Sequence, residues 1–310
     1  MPTRRTVLSG LGLSAAALTM AAPWQRALAA QPPGQALTRR TIPGSRESVP
    51  VIGMGSSDSM NVGSDAAERA PLKEVVRLFF EGGGTLIDTA PSYGRSEEVL
   101  GDLLAELKLR DKAFLATKLG TSGRDAGLAQ FTQSLRALKT GKVELLQVHN
   151  LRDWKTQLAV INELKAQGKT RYSGVTHYLA SGHDELADVV RTAKPDFLQV
   201  NYSVVSREAE KTLFPLARDQ GVGVLINRAF EDGRLFQQVK GKSLPGWAAE
   251  AGISSWAQAF LRFAWSHPAV TAVIPATSKP ERQTDNLRGG QGEALTERQR
   301  QSLIEIVSQA

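Results

Sequence analysis

The 310-residue chain contains no cysteine, which excludes disulfides and thiolate chemistry and leaves the redox compartment open on that count. It has four histidines, His149, His177, His183 and His267, and none forms an H-x-H or H-E-x-x-H cluster, which argues against a metal-dependent barrel hydrolase or isomerase; no metal site is expected. Long apolar runs are missing too. The stretch Val7 to Ala22 is about 16 residues, interrupted by the hydroxyls of Ser9, Ser14 and Thr19, short of the roughly 20 that span a bilayer, so no permanent membrane anchor is expected. No dense Lys/Arg stripe with interleaved aromatics occurs, and nucleic acid is not an expected partner. No G-x-G-x-x-G follows the first apolar strand, which leaves a doubly wound open sheet without support.

The N-terminus carries what these absences leave open. Arg4 and Arg5 precede the weakly apolar run, and Arg26 and Ala27-Leu28-Ala29 follow it. A charged start, a short apolar middle and an A-x-A end describe an export signal, and the paired arginines point to the twin-arginine route, with the Tat translocase as a transient partner and the periplasm as destination. Residues 1–30 are therefore expected to be signal and cleavage region, cut after Ala29 or Ala30, and residues 31–310 the folded domain. The whole chain carries 38 basic against 31 acidic residues, a net +7; without the signal 35 basic residues remain against 31, a mild +4.

From Val49 onward strand and helix alternate without a linker. Strands are expected at 49–55, 85–88, 113–117, 143–148, 172–176, 197–201, 222–227 and 270–274, with helices at 71–81, 96–107, 126–138, 154–167, 185–192, 209–220, 254–266, 280–287 and 296–308, and a loop of about 25 residues after the seventh strand. Eight strands each followed by a helix indicate an α/β fold, a single-domain (β/α)8 TIM barrel.

In such a barrel the strand C-termini share one face. Asp88 closes the second strand, Lys118 the third and His149 the fourth, and Tyr93 lies just beyond the second. Singly each has a plain structural use: Asp88 as a turn cap, Tyr93 as a loop aromatic, Lys118 and His149 as solvated strand ends. Together they suit carbonyl reduction by hydride. The carbonyl oxygen gains charge and needs a proton, a phenol ionising near pH 10 is too weak a donor alone, and an ammonium beside the hydroxyl stabilises the phenolate left behind. Asp88 would keep Lys118 charged and oriented, and His149 would hydrogen-bond the substrate oxygen.

The stretch Gly82 to Gly101, GGGTLIDTAPSYGRSEEVLG, resembles the first signature of the aldo-keto reductases, nicotinamide-dependent (β/α)8 barrels. The resemblance places that family's Asp, Tyr, Lys and His tetrad on Asp88, Tyr93, Lys118 and His149, in LIDTA, SYG, ATK and VHN. It implies a cofactor across the same face: Thr176 and His177 in GVTHY, where relatives have a G-V-S-N turn, and Gln199 in FLQVNYS would hold the carboxamide, with Ser56 and Ser57 near the pyrophosphate. For Gln199 the plain alternative is a buried amide bonded to backbone. IPATSKPERQTDN, Ile274 to Asn286, is the other long match: Thr277, Ser278, Lys279 and Arg282 would reach the 2′-phosphate and Asn286 the adenine, favouring NADP(H) over NAD. Ala276 stands where many relatives have lysine. At the end of strand seven Asn227-Arg228-Ala229-Phe230 replaces a stacking tyrosine, so that Arg228 or Phe230 serves instead. The implied function is NADPH-dependent reduction of a small-molecule aldehyde or ketone, with a slow or non-catalytic NADP(H) sensor on the same barrel as the alternative. Specificity is expected from the loops 61–70 and 230–247 and from Trp154.

Overall fold

The computed structural model describes residues 36–308. The export signal expected at 1–30, with Arg4, Arg5 and both expected cleavage positions, lies outside the described residues. The first element is a hairpin that the sequence did not announce: β1 (Arg39–Thr41) pairs antiparallel with β2 (Ser48–Pro50) around a turn in which Gly44 takes φ 72°. Its inward residues Ile42 and Val49 join an apolar cluster with Leu86, Phe114, Ala116, Leu145, Phe197, Leu225 and Ala272, plugging the N-terminal end of the barrel.

The strand expected at 49–55 is thus divided. Val51 is where the chain changes partner, since its N–H donates to Thr38 of the hairpin strand region (2.9 Å) while its carbonyl accepts from Val273 (2.9 Å) of the last barrel strand. The barrel proper runs β3 (Met54–Gly55), β4 (Leu86–Asp88), β5 (Phe114–Leu119), β6 (Leu145–His149), β7 (Tyr172–His177), β8 (Phe197–Asn201), β9 (Gly223–Asn227) and β10 (Ala272–Val273), each parallel to its neighbour. Parallel bridges Ile52 to Val273 and Gly55 to Ala276 join first to last, giving the (β/α)8 barrel that the alternation predicts.

Around it lie α1 (Ala66–Glu81), α2 (Ser96–Glu106), α3 (Arg124–Ala137), α4 (Trp154–Ala166), α5 (His183–Ala193), α6 (Leu213–Gln220), α7 (Arg234–Gln238), α8 (Trp256–Ser266), α9 (Pro280–Arg288) and α10 (Glu297–Ser308). Three differ from expectation. α1 starts before Pro71 because Asp65 caps it, its carboxylate accepting the Ala67 N–H at 2.6 Å. The helix expected over 209–220 is broken into a short turn and α6, because Pro215 in the first turn of α6 prevents regular extension backwards. The expected long loop contains α7.

Strand alternation sorts the barrel interior into two layers. The lower is apolar, from Leu86, Phe114, Leu145, Phe197 and Leu225. Two residues further along each strand the same face carries Asp88, Ala116, Gln147, Gln199 and Asn227, with Lys118 two beyond Ala116 on β5. A barrel core that turns polar at one end must pair those groups or present them to a ligand.

Candidate active site

Lys118 is fully buried, with 0% of its surface exposed, and Asp88 is 2% exposed. The ammonium donates to Asp88 Oδ1 at 2.5 Å and to the Thr89 carbonyl at 2.9 Å, and lies 4.9 Å from the centroid of the Tyr93 ring. Burial alone would lower the lysine's pKa; the Asp88 carboxylate beside it and the hydrogen bonds to its ammonium outweigh that, so Lys118 is held above its ordinary value and stays an ammonium. The His149 ring meets Tyr93 edge to face with centroids 5.9 Å apart, and its Nδ1 lies 3.4 Å from Ser92 Oγ. Burial first, then the neighbouring Lys118 and His177, depress His149 to about 3, leaving a neutral imidazole at physiological pH. The backbone supports this geometry with strain: Asn150, Leu151 and Asp153 directly after His149 all have φ between 47° and 56°.

Behind the pair runs an amide network. Asp88 Oδ2 accepts from Gln147 Nε2 (3.0 Å) and Gln199 Nε2 (2.9 Å), and Gln199 Oε1 accepts from Thr176 Oγ1 (3.2 Å) and Asn227 Nδ2 (3.5 Å). Gln199 is therefore bonded to side chains, not to backbone. Gln147 had no place in the sequence reading and Asn227 no site role there: inside a strand a glutamine carries no turn or cap signal, and only its inward register with Asp88 marks it. A further buried carboxyl, Glu97 at the start of α2, accepts from Thr117 Oγ1 (2.6 Å) and Ser134 Oγ (3.0 Å) on the outer side of β5; burial raises its pKa against those two donors.

Above the tetrad opens a cavity of about 870 Å³ whose wall includes Ser56, Ser57, Asp88, Tyr93, His149, Thr176, Gln199, Arg228 and Arg282. Lys118 lies immediately behind it. His177 is not on its wall: its Nδ1 accepts the Leu179 N–H at 3.2 Å and its ring stacks on Tyr178 at 5.7 Å. Thr277, Ser278 and Lys279 continue from Ala276 on the rim into α9; Lys279 caps the helix through its backbone, and Asn286 is buried two turns later. Gln283 is the first N–H of α9 to donate back, to the Lys279 carbonyl at 3.0 Å, so the helix start leaves N–H groups beside Arg282. At the opposite wall Arg228, at φ 55°, ion-pairs with Asp232 and lies 5.6 Å over the Tyr178 ring. Phe230 and Phe236 complete an aromatic rim.

The cavity has the chemistry to receive an anionic, amide-bearing ligand. Gly55 lets the first and last strands close the barrel at the cavity rim, since a Cβ there would stand 2.7 Å from the Ile274 carbonyl oxygen. Ser56 Oγ and Asn227 Oδ1 are buried without a hydrogen-bond partner among the described residues, and Arg282 pairs with no carboxylate among them. Comparison with known proteins agrees with this chemistry. The chain is 33% identical over 173 residues to the aldo-keto reductase YhdN of Bacillus subtilis, a stretch covering 49% of this chain and 50% of that protein. It is 30% identical over 238 residues to the methylglyoxal reductase YeaE of Escherichia coli, covering 74% and 82%. The solved aldo-keto reductase of Klebsiella pneumoniae in complex with NADPH superposes with a TM-score of 0.73 at 26% identity, covering 87% of this chain and 95% of that one. Residues 51–307 match the sequence profile of the aldo/keto reductase family, and the chain belongs to that family.

Proposed function

We propose that the protein reduces a small aldehyde or ketone to the alcohol with NADPH, with Tyr93 as the general acid. The observation that carries this reading is Lys118, buried between Asp88 and the Tyr93 ring at the floor of the cavity that also holds His149 and Arg282. The Klebsiella relative's NADPH complex and the Escherichia coli relative's methylglyoxal reductase activity support the cofactor and the substrate class. When bound, the cofactor supplies the hydride. Arg282 and the start of α9, with Lys279, Thr277 and Ser278, would hold its 2′-phosphate end; Ser56 and Ser57 would lie near the pyrophosphate, Arg228 or Phe230 would stack on the nicotinamide, and Thr176, Gln199 and Asn227 would meet the carboxamide.

The protein's own part is the proton and the charge. Neutral His149 donates a hydrogen bond to the substrate oxygen and sets it beside the Tyr93 hydroxyl. As negative charge develops there, the Tyr93 proton transfers to it, and the Lys118 ammonium stabilises the phenolate that remains. Asp88 is already neutralised by Lys118 and two amides, so it holds the ammonium in place without competing for the proton. Replacing Tyr93 by Phe should lower kcat by roughly 10² to 10⁴ while NADPH affinity, read by fluorescence titration, stays unchanged. Unchanged turnover would remove Tyr93 from the mechanism.

Export is part of the same reading. Arg4-Arg5, the weakly apolar run and Ala27-Leu28-Ala29 support passage through the Tat translocase to the periplasm. Arg4→Lys with Arg5→Lys should leave the precursor in the cytoplasm on fractionation, and continued export would overturn the assignment.

A further inference from the structure

We propose that Gln147 is a positioning residue of this active site, a brace that contacts both the carboxylate of the Lys118–Asp88 pair and the Gln199 amide that faces the cofactor, beside Gln199's own bond to Asp88. The inference rests on the carbonyl-reductase reading above, and its test also contains a readout independent of turnover.

Gln147 is fully buried in the middle of β6, two residues before His149 on the same inward face. Register puts it between Lys118 on β5 and Gly174 on β7. Its Nε2 donates to Asp88 Oδ2 at 3.0 Å, and its Oε1 accepts from Gln199 Nε2 at 3.4 Å. Gln147 therefore touches both neighbours at once. The barrel makes room for it at a cost: a Cβ on Gly174 would lie 2.8 Å from Gln147 Cγ, so the strand carries glycine where any side chain would displace the glutamine.

The direction of each amide follows from the carboxylate. Asp88 only accepts, so Gln147 and Gln199 both turn their NH2 groups to it. That leaves Gln199 Oε1 facing Thr176 Oγ1 and Asn227 Nδ2. One donor from Gln147 fixes the second carboxylate oxygen while Lys118 holds the first, which sets the plane of the carboxylate and with it the position of the ammonium under Tyr93. Without that donor, Gln199 is the sole amide on Asp88 Oδ2, and both the carboxylate and the Gln199 amide are held by one hydrogen bond fewer. Ordinary packing accounts for none of this, because Leu or Met would fill the volume without leaving a buried amide to satisfy.

Two near-isosteric variants separate the donor from the shape. Gln147→Met removes both hydrogen bonds and should lower kcat about tenfold and weaken NADPH binding about three- to tenfold, the loss of one or two buried hydrogen bonds. Gln147→Glu keeps the acceptor and replaces the NH2 by a carboxyl that can donate to Asp88 only when protonated. Its NADPH affinity and kcat should be poor at pH 8 and recover toward wild type as pH falls to about 5.5, a recovery absent in Gln147→Met and in wild type. A third variant, Gly174→Ala, should reproduce the Met phenotype, and adding it to Gln147→Met should cost little more, since both break the same contact. Wild-type kcat and NADPH affinity in folded Gln147→Met, or a Glu variant without the acid-side recovery, would overturn the proposal. If wild type binds NADPH but reduces no carbonyl, the binding series still decides the positioning role, and only the activity reading falls.

Discussion

The two ends of the barrel each hold a cavity of similar size, about 870 Å³ at the C-terminal end and about 710 Å³ at the N-terminal end. They differ in what their polar groups are doing. At the N-terminal end the buried charge is consumed by the fold, and Asp111, Lys112, Lys142 and Lys169 on the same lining are exposed to water. Arg110 donates to Glu144 (3.1 Å), Thr140 Oγ1 (2.9 Å) and the Lys142 carbonyl (2.6 Å), while Glu144 also accepts the Leu115 N–H (2.8 Å). Arg171 is likewise paired to Glu47 at 2.8 Å and laid over the Phe114 ring. At the C-terminal end Ser56 Oγ and Asn227 Oδ1 have no partner and Arg282 no carboxylate among the described residues. Volume does not mark the site. Buried hydrogen-bonding capacity left unspent on the cavity wall does, because burying an unpaired polar group costs free energy that a ligand can offset.

The largest effects should fall on opposite properties at the two ends. Lys118→Met should lower kcat by about 10³ and also cost roughly 3–5 kcal/mol of stability, since it leaves Asp88 buried and uncompensated. Arg110→Met should cost about 1–3 kcal/mol in urea unfolding and leave turnover within twofold of wild type, because Glu144 retains its backbone donor. A tenfold fall in kcat for Arg110→Met would break the comparison and make the N-terminal cavity part of the function.

The same contrast explains what could be read from the sequence. Asp88, Lys118 and His149 were legible because a charged or ionisable residue ending an apolar strand has few structural excuses, and the barrel topology alone brings strand ends together. Gln147 was not, since a neutral residue between Leu146 and Val148 announces nothing until its register with Lys118 and Gly174 is known. The eight-strand rhythm was legible for its apolar runs. The hairpin was not: Arg39-Arg40-Thr41 shows no apolar alternation, and Ser48 to Gly55 reads as one extended run although it changes partner at Val51. His177 shows the limit of reading position from a motif, because its ring is engaged by the Leu179 backbone.

A middle-sized effect sharpens the account of the C-terminal cavity. Arg282→Ala should weaken NADPH binding about 10- to 100-fold, the worth of a charge-assisted contact, and leave NADH within twofold. Equal losses for both cofactors in a fluorescence titration would move Arg282 off the 2′-phosphate.

The smallest effect compares two histidines, one near each end. Burial first, then Lys118 and His177, depress His149 to about 3; burial first, then Arg300, depress His267 to about 4. An unfolded histidine titrates near 6.5, so between that value and the folded ones the unfolded chain binds protons that the fold refuses. Stability therefore rises with pH through this window, is fully present above about 6.5 and declines as the solution is acidified. Between pH 7 and 5.5 the loss should be about 1 kcal/mol for His149 and less for His267, whose partly exposed ring is screened by solvent. His267→Asn keeps an acceptor for the Ala269 N–H, which His267 Nδ1 now receives at 3.2 Å, and should flatten part of the pH dependence of the urea midpoint with kcat unchanged. His149→Asn should flatten more of it and also lower kcat, because the same burial that makes His149 acid-sensitive is what keeps it neutral beside Tyr93. An unaltered pH dependence in both variants would show that neither imidazole is held neutral by burial, and the hydrogen-bonding role given to His149 would need a charged ring instead.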